Sequence, residues 1–113
     1  MKVVDQILKF RSDRDWEQFY KPKDLAISLA IEAAELLECF QWKTDDEVEA
    51  LIKNPQDKKK IEEELADIAM YLYLLCNDLN IDLDEAIKEK IEINNKKYPI
   101  SKSKGNAKKY TEL

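Results

Sequence analysis

Apolar side chains recur at the three- and four-residue spacing of α-helices along most of the 113-residue chain. This periodicity predicts five helices. Their approximate bounds are 2–12, 24–41, 45–53, 58–79 and 83–97. The pattern therefore indicates an all-α bundle of about four to five helices, two of them long.

Two of the predicted helices begin with a capping signature. Thr44 lies three residues before Glu47, and Asp82 three residues before Glu85. At this spacing the short oxygen-bearing side chain opens a helix and the Glu reaches back to cap its first turn. The Asn-Pro step at 54–55 ends the third helix, because the residue before a proline avoids helical dihedral angles.

The predicted helix at 24–41 has an unusually wide apolar face, which covers about two-thirds of its circumference. Such a face indicates burial on two sides, whereas a single small domain has one core. We therefore expect the second side to lie at a subunit interface, in a helical oligomer.

The composition agrees with one small helical domain. Of the residues, 44% are hydrophobic, and the chain has one Gly and three Pro. We predict a domain at 1–100 and a tail at 101–113. The N-terminal residues show no signal-peptide pattern and no apolar run reaches membrane-spanning length, so we expect a cytoplasmic protein without a membrane partner.

Charge is distributed unevenly about a net of −5. Residues 88–113 hold eight Lys against three Glu and carry +5, which leaves −10 for residues 1–87. An acidic body disfavours nucleic acid as a partner, because phosphate backbones are bound by basic surfaces. The composition of the basic tail predicts that it is mobile.

Carboxylates interrupt the apolar pattern of both long helices. Glu32 and Glu35 occupy the narrow strip that the apolar face of the first long helix leaves free. On the second long helix, Glu64, Asp67 and Tyr71 follow the border of the apolar stripe at positions i, i+3 and i+7. Antiparallel packing of the two helices would bring the four carboxylates to one point.

Four converging carboxylates require a cation, because each close like-charge pair costs a few kcal/mol at an effective dielectric constant of about 20. The chain contains no His, which excludes the Glu-x-x-His pairs of di-iron bundles and disfavours zinc. Oxygen ligands that share a cation with phosphate groups are typical of Mg²⁺. The alternative is that these residues are solvated charges on two Glu-rich helices.

Several segments resemble a known enzyme family. They are RDWEQF (14–19), PKDLAISLAIEAAELLECFQW (22–42), EEELADIAMYL (62–72), NNKKYP (94–99) and SKGNAKKYTEL (103–113). Together they are similar to the MazG-like nucleotide pyrophosphohydrolases, in particular to the dCTP pyrophosphatase branch. The resemblance covers nearly the whole chain and includes both tryptophans.

The resemblance implies an all-α enzyme that binds Mg²⁺ and hydrolyses a nucleoside triphosphate to the monophosphate and pyrophosphate, with dCTP as the leading substrate. It assigns the metal ligands to Glu32, Glu35, Glu64 and Asp67. A water oriented by the metal or by a carboxylate would attack the α-phosphorus. Either Glu35 or Glu32 is expected to act as the base that orients this water.

The resemblance also assigns substrate-binding residues. It places Trp16 and Trp42 at the base pocket, where their rings would stack on the base, whereas an isolated Trp is more often a packing residue. Tyr71 would contact the nucleotide near the metal. Lys90 and Asn94, four residues apart on the last predicted helix, would meet phosphate and sugar. Without the resemblance, we would interpret Lys90 as a solvated lysine.

Other expectations also follow from the resemblance. It implies a homotetramer built as a dimer of dimers. The chain departs from the family at Tyr20, where relatives often have His, so the base preference is left open. The basic tail is either a solvated end or a flap that folds over the triphosphate of its own or a neighbouring subunit. The competing function is a non-catalytic helical module for oligomerisation or partner binding.

Overall fold

The computed structural model describes residues 1–113, and all of their regular secondary structure is helical. The six α-helices are α1 (Val3–Asp13), α2 (Pro22–Glu38), α3 (Asp45–Lys53), α4 (Pro55–Asp78), α5 (Leu83–Lys97) and α6 (Ile100–Ser103). Glu17–Phe19 and Tyr110–Glu112 form 3-10 helices. The all-α class and the five predicted helices are confirmed. The sequence did not reveal α6 or the 3-10 helices, because one-turn elements carry no apolar period.

The predicted capping residues are found at the starts of α3 and α5. The Thr44 side chain accepts a hydrogen bond from the Glu47 backbone N–H at 3.2 Å, and Asp82 accepts one from the Glu85 N–H at 3.1 Å. These bonds satisfy backbone donors that a first helical turn leaves without partners. The sequence pattern therefore located both helix starts correctly.

The step at 54–55 also begins the next helix, which the periodicity placed three residues later. Asn54 accepts hydrogen bonds from the backbone N–H groups of Gln56 and Asp57 at 3.0 and 3.3 Å. Pro55 occupies the first helical position, where its missing N–H costs nothing. One dipeptide thus ends α3 and starts α4.

Helices α2 and α4 pack against each other in antiparallel orientation, as predicted. Leu25, in the first turn of α2, shares a core cluster with Leu74 near the end of α4. Glu35, near the end of α2, meets Glu64 in the N-terminal half of α4. The start of one helix therefore lies beside the end of the other.

The core is small and lies where α1, α2 and α4 meet. Its buried members are Ile7, Leu25 and Leu74, one from each helix, and Leu25 is 1% exposed. Much of the remaining apolar surface is open: Ile31 and Leu37 of α2 are 54% and 69% exposed. One side of the wide apolar face of α2 therefore stays uncovered within the chain.

A charged pair joins α1 to the C-terminal end of α4. The Arg11 guanidinium donates to both carboxylate oxygens of Asp78, at 2.7 and 2.9 Å. The Arg11 side chain is 9% exposed and that of Asp78 21%. Because the geometry is bidentate and partly desolvated, the pair fixes the angle at which α1 meets α4 more firmly than a surface ion pair would.

The chain divides into two compact units, Met1–Asn80 and Ile81–Leu113. In the second unit, the Tyr98 ring meets the Tyr110 ring edge-on at a centroid distance of 6.1 Å, and Lys97 Nζ lies 4.8 Å from the centre of the Tyr110 ring. These contacts attach the C-terminal 3-10 helix to the end of α5. None of the helices combines the length and apolarity that a membrane span requires.

Candidate metal centre and aromatic cavity

Three glutamates from α2 and α4 form an acidic cluster. One carboxylate oxygen each from Glu32, Glu35 and Glu64 lies within 4.8 Å of the other two. Glu32 and Glu35 share a face of α2 because residues three apart on a helix lie side by side. The antiparallel packing of α4 then brings Glu64 opposite this pair. We call these three residues the glutamate cluster.

No Lys or Arg forms an ion pair with the glutamate cluster, although the charge of Lys60 favours the ionised form of Glu64. The three ion pairs in the structure are Lys9–Asp13, Arg11–Asp78 and Lys88–Glu85, and none of them includes a member of the cluster. Moreover, Glu32 Oε2 and Glu64 Oε2 are buried and have no hydrogen-bond partner. Buried carboxylate oxygens without partners are costly, so this arrangement requires a proton or a bound cation.

The pKa values of the cluster reflect this requirement. Burial, a hydrogen bond shared with Glu35, and repulsion by the neighbouring carboxylates raise the pKa of Glu32 to about 7. Burial and a hydrogen bond with Glu35 also raise the pKa of Glu64. Without a cation, the cluster therefore retains a proton close to neutral pH.

Asp67 stands apart from the three glutamates. Its oxygens are not among those that lie within 4.8 Å of one another, although its charge contributes to the raised pKa values of Glu32 and Glu64. It lines a neighbouring cavity instead. The structure thus brings together three of the four carboxylates that the sequence placed at one point, with the fourth between this cluster and the cavity.

This cavity has a volume of about 210 Å³ and lies between α1, α4 and the segment that joins α1 to α2. Its lining residues are Ile7, Phe10, Arg11, Trp16, Tyr20, Asp67, Met70, Tyr71 and Leu74. Four of the nine are aromatic. We call it the aromatic cavity.

The rings of the aromatic cavity contact one another in sequence. The Trp16 ring lies 5.8 Å from the Phe10 ring and 5.8 Å from the Tyr20 ring, and the Tyr20 and Tyr71 rings are 6.0 Å apart. These centroid distances are typical of aromatic pairs that fix one another's orientation. Trp16 is therefore both a packing residue and a wall of the cavity.

Tyr71 connects the aromatic cavity to the glutamate cluster. Burial raises its pKa to about 12, with further contributions from Tyr20 and from the charges of Glu32 and Asp67. Its hydroxyl group therefore keeps its proton at neutral pH and remains available as a hydrogen-bond donor. This placement agrees with the position predicted for Tyr71 on the acidic strip.

Trp42 does not line the aromatic cavity. Its side chain is 90% exposed, and its backbone has a positive φ of 67°, which L residues rarely adopt. It follows the end of α2, in the turn before α3. Trp42 thus has no packing role in the core of its own chain, and its indole ring is open to another molecule.

Lys90 and Asn94 lie on α5, in the second compact unit. The Lys90 side chain is exposed and Asn94 is partly buried, and the backbone carbonyl of Asn94 accepts the Tyr98 N–H at 2.8 Å. No ion pair involves Lys90. Their roles toward phosphate and sugar remain predictions.

Sequence reasoning missed Arg11 and Asp78. Arg11 follows Ile7 by four residues on α1, and Asp78 follows Leu74 by four residues on α4, so both stand at positions where the helical stripe predicts apolar side chains. A charged residue at such a position on each of two helices is the signal that could have identified the pair.

Comparison of the sequence with models of protein families identifies the family of this chain. Residues 27–113 match the MazG-like family. The chain belongs to the MazG-like family. The predicted family is therefore confirmed, and the matched segment includes all four predicted metal ligands.

Individual MazG-like relatives are similar over most of the chain. Bovine (Bos taurus) dCTP pyrophosphatase 1 is 41% identical over 105 residues, which are 93% of this chain and 62% of the bovine protein. Human (Homo sapiens) dCTP pyrophosphatase 1 is 40% identical over 105 residues, which are again 93% of this chain and 62% of the human protein. The chain thus spans about three-fifths of the length of these mammalian relatives.

A solved structure gives the same fold. A pyrophosphatase from Archaeoglobus fulgidus DSM 4304 superposes with a TM-score of 0.80 and is 43% identical, over 86% of this chain and 89% of the archaeal one. At this level of identity, the likeness supports the helix order and the antiparallel packing of α2 and α4 described above.

Proposed function

We propose that this MazG-like protein is a nucleotide pyrophosphohydrolase that converts a nucleoside triphosphate to the monophosphate and pyrophosphate. The observation that carries the proposal is the uncompensated glutamate cluster beside an aromatic cavity. A cluster of this kind suits a metal-bound triphosphate, and an aromatic cavity suits a base. The names of the mammalian and archaeal relatives support the same reaction, with dCTP as the leading substrate.

The donor set fits a divalent cation. Two buried, unpartnered carboxylate oxygens, those of Glu32 and Glu64, lie beside Glu35, and the chain has no His to favour a softer metal. We assign Mg²⁺ to Glu32, Glu35 and Glu64, with Asp67 as the fourth ligand. When bound, Mg²⁺ neutralises charge on the triphosphate oxygens.

The glutamates also provide a place for the proton that hydrolysis releases. A water oxygen attacks the α-phosphorus, the bond from that phosphorus to the bridging oxygen breaks, and pyrophosphate leaves. Either Glu35 or Glu32 orients the water and accepts its proton.

The aromatic cavity would hold the base. Trp16 and Tyr20 offer ring faces, and the Tyr71 hydroxyl lies towards the acidic groups. The exposed ring of Trp42 is free to stack on the same nucleotide or to contact a second subunit. On α5, Lys90 and Asn94 would meet phosphate and sugar, as proposed from the sequence.

We further propose a homotetramer built as a dimer of dimers. The support is the uncovered side of α2, where Ile27, Ile31 and Leu37 are 50%, 54% and 69% exposed. Apolar surfaces of this kind are typical of subunit interfaces. Light scattering at micromolar concentration should give the mass of a tetramer, and a monomer would contradict this assignment.

The reaction is tested by incubating the protein with each common ribo- and deoxyribonucleoside triphosphate and Mg²⁺, and measuring pyrophosphate. We expect stoichiometric pyrophosphate and monophosphate from dCTP, and none in EDTA. Release of inorganic phosphate instead, or no product from any nucleotide, would contradict the proposal.

The exposed face of α2 also favours a non-catalytic oligomerisation module as a second candidate. The two functions differ in their response to ligands. An enzyme of this class gains thermal stability from dCTP with Mg²⁺, because the folded state alone binds them. A purely structural module should melt at the same temperature with and without them.

A further inference from the structure

Arg11 is the one permanently charged cation in the wall of the aromatic cavity. The residue is 7% exposed, which is rare for a charged side chain unless its donors are paired. Its position follows from α1, which places Arg11 one turn after the core residue Ile7. The pair with Asp78 sets how α1 meets α4, and the same guanidinium residue also lies in the wall of the cavity.

Asp78 holds the guanidinium in one orientation but leaves part of it unused. A guanidinium group has five N–H donors in a rigid planar fork. Asp78 accepts one bond from Nη1 and one from Nη2. The Nε–H is buried and has no acceptor in the chain. A buried donor without a partner is costly, so a ligand whose entry into the cavity uncovers the Nε–H and supplies an acceptor would be favoured.

Arg11 also positions the stacking ring. The backbone carbonyl of Arg11 accepts the N–H of Trp16 at 3.1 Å and that of Arg14 at 3.3 Å. One residue therefore fixes both an aromatic face and a donor group in the same cavity. A flat heteroaromatic ring with acceptors on its edge is the ligand that satisfies both features.

We propose that Arg11 is a specificity-determining residue, which donates to a carbonyl oxygen and a ring nitrogen lying side by side on the bound base. Cytosine presents such a pair at O2 and N3, and guanine at O6 and N7. The inference rests on the proposed function in one respect, that the aromatic cavity takes the base of the nucleotide.

The same donors reject the other bases. In uracil and thymine the ring nitrogen between the two carbonyl groups carries a hydrogen, so a donor would face a donor. Adenine has no carbonyl oxygen and offers an amino group beside its ring nitrogens. A site that leaves buried polar groups unpaired with the wrong ligand discriminates strongly against it.

The test is the substitution Arg11→Lys, assayed with dCTP, dGTP, dUTP, dTTP and dATP. Lysine keeps the charge and a bond to Asp78 but loses the planar fork. We expect the ratio of kcat/KM for dCTP over dUTP to fall by about ten- to hundredfold, mainly through KM. A purely structural role would lower kcat/KM for all nucleotides alike, and an unchanged ratio would overturn the proposal.

A second variant guards against misfolding. Arg11→Met combined with Asp78→Leu removes both charges together, which is far less costly than leaving one of them unpaired. It should lose the base preference as Arg11→Lys does. The matched control is Lys9→Met on the same helix, where the Lys9 side chain is 60% exposed and outside the cavity. This control should keep the preference of the wild type.

A binding measurement separates this inference from the proposed reaction. Calorimetric titration with dCMP, dGMP, dUMP, dTMP and dAMP requires no hydrolysis. Wild-type protein should bind dCMP or dGMP more tightly than dUMP, and Arg11→Lys should remove the difference. If this holds while no triphosphate is hydrolysed, the proposed reaction fails and the role of Arg11 stands. Equal affinity of the wild type for all five monophosphates would refute the role of Arg11.

Discussion

The two ends of α4 carry buried charge in contrasting ways. Near its C-terminal end, Asp78 meets Arg11 in a bidentate pair, and the hydrogen bonds from Arg11 lower the pKa of Asp78. In its N-terminal half, Glu64 meets Glu32 and Glu35, and the pKa values of Glu32 and Glu64 are raised. The first group is neutralised within the chain, whereas the second lacks a partner.

This difference indicates what each group does. A bidentate pair between two helices specifies their geometry, and the chain itself provides both partners. A same-sign cluster with unpartnered oxygens destabilises the metal-free fold unless a proton or a cation neutralises it. The aromatic cavity lies between the two groups, since Asp67 and Arg11 both line it.

The largest expected effect comes from removing charge from the cluster. Glu35→Gln and Asp67→Asn should each abolish most pyrophosphate release, by about 10²–10⁴-fold for Glu35 as a positioned base. Because repulsion is relieved, the melting temperature of the metal-free protein should hold or rise. Activity is measured by pyrophosphate release and stability by thermal melts.

The matched control for these variants is Glu38→Gln, because Glu38 is exposed on α2 and lies outside the cluster. It should leave activity unchanged. Wild-type turnover in Glu35→Gln or Asp67→Asn would mean that the cluster is only surface charge, and the contrast between the two ends of α4 would lose its functional meaning.

Breaking the pair at the other end of α4 should have the opposite effect on stability. Asp78→Asn leaves the buried Arg11 guanidinium without its counter-charge and should destabilise the fold by about 2 kcal/mol. Asp13→Asn is the control, because the Lys9–Asp13 pair is exposed and should contribute less than about 1 kcal/mol. Urea unfolding measures the loss in free energy of unfolding for each variant. Equal losses for the two variants would contradict this prediction.

The helices and the glutamate cluster were accessible from the sequence, because both depend on local periodicity. Glu32 and Glu35 lie three apart on one helix, and the two long apolar stripes predict that this helix packs against the helix of Glu64. The antiparallel direction that brings Glu64 to the pair was a hypothesis. The capping residues were accessible for the same reason, since the donors they satisfy lie within one turn.

The aromatic cavity was accessible only in part, because it depends on tertiary contacts and on an irregular segment. Trp16 and Tyr20 flank the 3-10 helix Glu17–Phe19, which has no periodic signal, and the Arg11–Asp78 pair joins residues 67 positions apart. Periodicity identified neither. The exposure of Trp42 depends on a positive φ in a turn, which sequence spacing does not predict.

The two tryptophans test whether each ring stacks on the base, Trp16 from the wall of the aromatic cavity and Trp42 from outside it. Replacing Trp16 or Trp42 by Ala should weaken dCTP binding by about ten- to hundredfold, as expected for loss of base stacking, and should affect inorganic triphosphate much less. Titrations of both ligands at one Mg²⁺ concentration measure the difference. Equal losses for the two ligands would assign that tryptophan to packing.

Thermal melts should separate the two variants further. Trp16→Ala removes contacts with Phe10 and Tyr20 and should lower the melting temperature. Trp42→Ala removes a ring that is 90% exposed and should leave the melting temperature of the isolated subunit unchanged. A large loss of stability in Trp42→Ala would show that its ring is buried in an interface between subunits.

The smallest expected effect is a dependence of stability on pH that has opposite signs at the two ends of α4. The pKa of Glu32 is raised from 4.5 to about 7, so between these values the folded state binds more protons than the unfolded state. The free energy of unfolding of the metal-free protein should therefore fall as pH rises from about 4.5 to about 7. The pKa of Asp78 is lowered from 3.8, so its contribution is present above that value and is lost as pH falls through the folded-state pKa.

Melts in EDTA at pH 5 and pH 8 should show a melting temperature a few degrees lower at the higher pH, and Glu32→Gln should flatten this slope because its side chain does not titrate. Mg²⁺ should reverse the sign, since the cation competes with the retained proton and binds more tightly as the cluster deprotonates. Asp78→Asn should differ less from the wild type only as pH falls below about 3.8, because protonation of Asp78 then removes the same charge. If Glu32→Gln keeps the wild-type slope, the proton is held elsewhere, and the glutamate cluster is more solvated than its buried oxygens indicate.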